Sequence, residues 1–376
     1  MRTIRTLIAA SCLLVTVNTL DISATDESPW SPEGVVARID IPVNGEPLQV
    51  NVRLDGVDKS FIIDTGSYAT VLSDSVRPGD LFDFEAGLSS RTISAFSVLG
   101  VKCPWLKSVI VLDLTHTQSA GIKADGILGV DVLSHFVVHF DFDNGKFLLC
   151  KPNQMLRPPG TKAPLLFDEF ERPCIEASFD DRRPLQFLID TGNLVCCCVV
   201  KDEFTGLSKH STSLPTGVRV NSNNVVGDKS ALNQIRCRSL KLVGHKLENI
   251  VIAESDANVI GLQQLCRFRL TLDFANSQSY WQPGTRYAYR DRGDYGGLVY
   301  KQNDRGDLEV LSVSKNGPAE NAGLKTGDLI VVIEGREVRE RTGGYWSRVF
   351  SFPRIEPIKM FVKRDGVTFP MIIAEN

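Results

Sequence analysis

Phe61-Ile62-Ile63-Asp64-Thr65-Gly66-Ser67 returns later in the chain as Phe187-Leu188-Ile189-Asp190-Thr191-Gly192-Asn193. Each stretch reads as an apolar strand that delivers an aspartate into a tight turn, with glycine permitting the turn. Working outward, each copy continues to an apolar pair before glycine, Ile127-Leu128-Gly129 and Val259-Ile260-Gly261. Gly129 lies 65 residues beyond Asp64, and Gly261 lies 71 beyond Asp190. Twelve residues past each glycine stands an Asp-Phe pair, Asp141-Phe142 and Asp273-Phe274. One matched tripeptide is weak, but an ordered set at nearly equal spacing marks a duplicated unit.

Strand patterns open both copies. Leu48, Val50, Val52 and Leu54 alternate with Gln49, Asn51 and Arg53, which predicts a half-buried strand turned back at Val57-Asp58-Lys59. Ile175, Ala177 and Phe179 alternate in the second copy, with Asp180 to Pro184 as the turn. Pro152 to Pro164, carrying Pro158-Pro159-Gly160, reads as a connector between copies, and a third unit follows Gln282-Pro283-Gly284. The chain of 376 residues is therefore divided into a signal peptide (1–24), a first lobe (33–152), a second lobe (164–284) and a C-terminal domain (290–376). Short alternating segments and Gly/Pro punctuation give a mainly β fold class.

Two such turns brought together set two carboxyls side by side. Like charges at that distance do not both ionise readily, so the pair shares a proton. The ionised member can then take a proton from water while the protonated member donates to a carbonyl, which is general acid–base catalysis. On these residues the first three quarters of the chain, about 35–284, resembles the pepsin and retropepsin clan of aspartic peptidases, with short retroviral-type lobes fused as in pepsin. The resemblance implies a bilobal pair of acid-protease-like β-barrels with Asp64 and Asp190 as the catalytic dyad. It implies that Thr65 and Thr191 lock the loops together, that Gly66 and Gly192 complete the turns, and that Ser67 and Asn193 support the outer carboxylate oxygens. Asn193 departs from the usual Ser or Thr. That departure keeps a second reading open, a catalytically inactive peptidase-like fold that binds or scaffolds peptides. By the same resemblance Val218 to Ile235 is expected as a flap, with Phe84 to Phe96 as a weaker counterpart.

The C-terminal stretch Asn316-Gly317-Pro318-Ala319-Glu320-Asn321-Ala322-Gly323-Leu324-Lys325-Thr326-Gly327-Asp328-Leu329-Ile330 resembles the PDZ domains attached to bacterial exported proteases. Pro318 suits the first turn of a helix and Gly323 its end. The resemblance implies peptide binding by strand addition, with Tyr295-Gly296-Gly297-Leu298 as the carboxylate-binding loop and a groove helix near Tyr345 to Phe352. Gly296 stands where a larger apolar residue is usual, so a purely docking module remains an alternative.

The remaining composition excludes more than it selects. A net charge of −3 argues against nucleic-acid binding. Arg2, Arg5 and the apolar run Leu7 to Val17 predict a signal peptide and a periplasmic or extracellular location. Eight cysteines follow it, read as buried small hydrophobes with one or two disulfides left open. Cys196-Cys197-Cys198 places neighbours on opposite strand faces, poor geometry for zinc. His135 and His139 lack the glutamate of a zinc-peptidase motif. No metal or cofactor is expected. Polypeptide substrates, and peptide or protein C-termini at the PDZ unit, are the expected partners of a monomer, since one chain carries both aspartates.

Overall fold

Alternation of apolar and polar residues becomes sheet in a computed structural model that describes residues 34–42, 46–74, 82–83, 89–114, 122–154, 160–194, 196–213, 233–289, 291, 297–351 and 356–374. The fold is mainly β, arranged in four sheets among the described residues. In the strand Gln49–Leu54, Val50, Val52 and Leu54 are buried while Asn51 and Arg53 face solvent. The chain reverses at Asp55-Gly56, with φ of 48° and 84°, and not at Val57-Asp58-Lys59 as the sequence reading expected. Two successive positive φ angles suit Asp-Gly and match the twist of a hairpin. Val57 therefore already belongs to the next strand, Val57–Ile63, paired with Leu54.

Both halves repeat one unusual crossing. The aspartate-bearing strand Val57–Ile63 runs parallel to Gly126–Leu128, which pairs antiparallel with Val71–Ser73, the strand leaving the turn. That strand runs parallel to Ser108–Leu112. In the second half Leu185–Ile189 runs parallel to Val259–Ile260, which meets Cys197–Val200 antiparallel, itself parallel to His245–Ser255. Asp64 N–H donates to Leu128 carbonyl and Asp190 N–H to Ile260 carbonyl, both at 3.1 Å. The repeated apolar pair thus grips the aspartate from beside it.

The halves join below through a six-stranded sheet. From edge to edge it runs Val35–Asp40, Lys146–Cys150, Val137–Asp141, Phe268–Asp273, Gln278–Pro283 and Thr161–Pro164, three strands on each side of the central seam. The outermost strand, Thr161–Pro164, falls inside the stretch expected to be connector. Its backbone pairs with Trp281 to Gln278, covering a sheet edge that would otherwise be open. At the seam His139 stands opposite Thr271, with Nδ1 2.8 Å from Thr271 Oγ1. One apolar cluster runs through both halves, with Phe61, Phe140, Phe147, Phe187 and Trp281 fully buried. Burying each such ring stabilises the fold by roughly 1.5–3 kcal/mol.

The C-terminal unit has its own core around Leu308, Ile330, Trp346 and Val362. Its strands Leu298–Gln302, Leu308–Val313, Leu329–Ile333, Ile358–Arg364 and Val367–Ile373 form one sheet, with helices Pro318–Asn321 and Gly343–Ser351. Pro318 opens the first helix and Gly323, at φ 91°, follows it, as the sequence predicts. Buried Asp328 accepts two bonds from Arg364, at 2.6 and 2.7 Å, and one from Lys325 N–H. Upstream, Asp291 is fully buried against lobe two. It accepts from Val251 N–H and Gln264 Nε2 and pairs with Arg267. Its carbonyl accepts from Arg236 at 2.9 Å. On the other side the Tyr345 hydroxyl donates to Glu46 Oε1 at 3.1 Å, touching lobe one.

Candidate active site

The two Asp-Thr-Gly turns meet where the halves face each other. Thr65 and Thr191 are completely buried and bond reciprocally. Thr65 N–H donates to Thr191 Oγ1 and Thr191 N–H donates to Thr65 Oγ1, both at 3.1 Å. Each hydroxyl then donates across the seam, Thr65 to Ile189 carbonyl at 2.6 Å and Thr191 to Ile63 carbonyl at 2.9 Å. A hydroxyl has one donor and two acceptor positions, so threonine supplies this exchange and valine cannot.

Beside that lock the glycines admit the opposing carboxyls. A Cβ at Gly66 would lie 2.4 Å from Asp190 Cγ, and one at Gly192 would lie 2.3 Å from Asp64 Cγ. Only a residue without a side chain lets each loop approach the other aspartate this closely. Gly66 N–H donates to Asp64 Oδ1 at 2.8 Å. Gly192 and Asn193 N–H groups donate to Asp190 Oδ1 at 2.8 and 2.9 Å.

Burial raises Asp64 well above the usual carboxylate range, and the Asp190 charge and hydrogen bond raise it further against the opposing Gly66 and Ser67 amides. Asp190 is also raised by burial, but the Asn193 amide, the bond from Asp64, the Gly192 amide and the nearby Arg172 cation pull it back. Burial therefore favours a shared proton between the two carboxyls, with more opposing pulls acting on Asp190 than on Asp64. The two titrate as one coupled unit.

The Ser67 side chain does not take the role the resemblance implied. Ser67 Oγ donates to Ala69 carbonyl at 2.8 Å, which uses its only donor. Asn193 Nδ2 points to Cys198 Sγ at 3.6 Å, and its backbone N–H is what reaches Asp190. Arg172, which the sequence reading missed, lines the cleft instead. Its Nη1 donates to Gly66 carbonyl at 3.2 Å, while Asp168 holds it through Nε at 2.7 Å. The ion pair keeps Asp168 ionised, its pKa lowered because the Arg172 and backbone bonds outweigh its partial burial. The only sequence signal was an Asp and an Arg flanking the hairpin turn Glu169-Phe170-Glu171.

The cleft above the aspartates has a volume of about 390 Å³. Ile110, Ile127, Leu188 and Val259 line its walls, and Tyr68 and Asp256 reach its rim. Most of the expected flap, Val218 to Ile235, and Phe84 to Gly87 with Leu88 of its counterpart lie outside the described residues. In the PDZ-like loop, Gly297 has φ 78° and Leu298 is buried, while Tyr295 and Gly296 lie outside the described residues. Behind it, Tyr300 hydroxyl lies 2.8 Å from Ser347 Oγ, tying the first strand to the helix Gly343–Ser351.

The other sequence candidates separate cleanly. His135 is exposed and stacks on Trp105, with centroids 4.1 Å apart, whereas His139 is buried in the seam. No cluster of metal-ligating side chains occurs among the described residues. The eight cysteines from Cys103 to Cys266 are buried free thiols, so the disulfide alternative is not taken up. Cys196 and Cys198 join one small cluster and Cys197 the main core, on opposite faces of the strand as its periodicity requires. Burial pushes Cys103 and Cys237 up to about 11 and Cys150 and Cys266 to about 12, which suppresses thiolate chemistry.

Residues 309–364 match the family model of the PDZ domain. The C-terminal unit is a PDZ domain. A curated relative, the serine protease Do-like HtrA of Lactobacillus helveticus, is 26% identical over 170 residues, 43% of this chain. The chain spans 40% of that relative's length. Among solved structures, an aspartic proteinase from Irpex lacteus superposes with a TM-score of 0.42 at 15% identity, covering 66% of this chain and 98% of its own.

Proposed function

We propose that this protein is an exported aspartic endopeptidase whose PDZ domain recruits polypeptides. The observation that carries the reading is the reciprocal approach of Asp64 and Asp190 across two glycines that tolerate no side chain. In this reading Asp190 accepts a proton from a water as its oxygen attacks the scissile carbonyl carbon. Asp64 gives its proton to the carbonyl oxygen. Collapse of the resulting diol breaks the C–N bond, with the proton held by the dyad passing to the departing amine. No covalent intermediate forms and no metal takes part in these steps. Arg172 favours the ionised form of Asp190 and fixes the Gly66 carbonyl. The basic and apolar leader supports export, and the presence of both aspartates in one chain supports a monomer.

The test is cleavage of denatured casein across acidic and neutral pH by the wild type, Asp64→Asn and Asp190→Asn. Each substitution is expected to lower the rate by about 10²–10⁴-fold or more. Because a curated relative is named a serine protease, a serine-acylating reagent is included and is expected to leave cleavage intact. Equal cleavage by wild type and both variants would refute the dyad. A wild type that binds casein peptides without cutting them would leave the scaffold reading, for which Asn193 is the motivating departure.

A further inference from the structure

Tyr68 lines two hollows. It borders the cleft over the aspartates and also a second cavity of about 500 Å³, lined from both lobes. That cavity is walled by Phe167, Phe170 and Phe274, with Asp131 and Glu171 among its polar atoms. Phe170 is 50% exposed, Tyr68 41% and Phe167 37%, an unusual concentration of solvent-facing rings.

These rings are held in place. Phe170 sits at the tip of a tight hairpin in lobe two and leans on Tyr68 of lobe one, with centroids 5.7 Å apart. The Arg172 guanidinium lies 5.3 Å from the Phe170 ring centroid. Asp168 accepts from the Phe170 and Arg172 N–H groups at 3.0 and 2.9 Å, which fixes the hairpin backbone. Phe167 approaches Phe274 at 6.4 Å. Asp131 accepts from Thr70 N–H and Thr70 Oγ1 through its two oxygens, so both are already engaged within lobe one; burial raises its pKa. The acidity lies at the rim, in the exposed Glu169 and Glu171.

We propose that this aromatic hollow is an outer subsite for the same polypeptide that occupies the cleft, binding an aromatic or aliphatic side chain on the segment flanking the scissile bond, with lysine or arginine beside it. The inference rests on the peptidase reading. Continuity through Tyr68 gives an extended chain leaving the cleft a direct course into the hollow. Preformed rings offer area at low ordering cost, and the acidic rim complements a basic neighbour. Cleavage specificity would then be set partly outside the catalytic cleft.

The experiment uses full-length Asp64→Asn protein, so that binding is read without turnover. Two fluorescent peptides share a casein-derived core and differ in the flanking extension, which is rich in Phe, Leu and Lys in one and Gly and Ser in the other. The apolar extension is expected to tighten binding about tenfold. Adding Phe170→Ser, or separately Phe167→Ser, is expected to remove that gain while leaving the Gly/Ser peptide unchanged. Thermal unfolding of each variant checks folding, and the two independent substitutions guard against one that unfolds. A gain that survives both substitutions overturns the subsite. So does its absence while both peptides bind alike, or light scattering that shows the substitutions dissolving a dimer, since the rings would then serve self-association. Failure of either peptide to bind the cleft overturns the peptidase reading itself, and the subsite with it.

Discussion

Two of the places where the halves meet have opposite appetites for protons. At the loops, burial raises Asp64 and Asp190, so the folded state favours their protonated forms. At the six-stranded sheet below, burial pushes His139 down to about 4, against a weaker upward pull from Asp141. The folded state there favours the unprotonated form. The same cause, removal from water, acts on an acid in one place and a base in the other. Acid therefore favours the folded form of the loops and works against the seam.

The sign for His139 follows from linkage. Its folded pKa lies below the ordinary value of 6.5, so below pH 6.5 the unfolded chain binds a proton that the folded chain refuses. Stability falls as pH drops through the interval from about 6.5 to about 4, by about 3 kcal/mol from this group alone. His139→Gln keeps a hydrogen-bonding group opposite Thr271 and cannot charge. Urea unfolding at several pH values should show the wild type losing that increment and the variant keeping it. Equal losses in both would place the acid sensitivity elsewhere.

Thr65 and Thr191 test the loop crossing. Replacing either by valine strands a buried N–H and a buried carbonyl of the other half. The expected cost is about 1–3 kcal/mol for each. The double variant should lose less than the sum, because the two share one network. Strict additivity would mean the hydroxyls act independently.

The aspartates supply a stabilising counterpart. Because their folded pKa values are raised, their ionisation opposes folding as pH climbs above the ordinary carboxylate value. Asp64→Asn should therefore raise the melting temperature at neutral pH while abolishing cleavage, and the difference from wild type should shrink as pH falls toward that value. A variant no more stable than wild type at neutral pH would show that the carboxyls are solvated.

Much of this was legible because two copies of a segment confess a common job. The Asp-Thr-Gly turns, the gripping pairs before Gly129 and Gly261, and the seam strands carrying Asp141 and Asp273 all stood at matching offsets. The hairpin at Asp55-Gly56 was missed because Val57 and Lys59 were read as turn rather than strand. Thr161–Pro164 was hidden by its proline-rich context, since edge strands tolerate proline where inner ones do not. The resemblance implies a supporting role for the Ser67 hydroxyl, but local geometry sends Ser67 Oγ to the Ala69 carbonyl, and Asn193 reaches Asp190 through its backbone N–H. Arg172 had no counterpart in the first copy, so repetition was silent about it.

That unmatched arginine is where the two loops can be told apart experimentally. The Arg172 cation pulls the pKa of Asp190 down. Arg172→Met removes the cation and the bond to Gly66 carbonyl while keeping much of the side-chain bulk. The acid limb of the cleavage profile, which reports ionisation of the first carboxyl, should then move to higher pH. Arg172→Lys should restore part of the displacement, because it returns the charge without the bidentate hold on Asp168. A profile that only drops in height, with its acid limb unmoved in both variants, would make Arg172 a strut for the Gly66 carbonyl. Each aspartate already faces two amides of its own loop, Gly66 and Ser67 for Asp64 and Gly192 and Asn193 for Asp190, so a difference between the carboxyls would then have to come from elsewhere in the cleft.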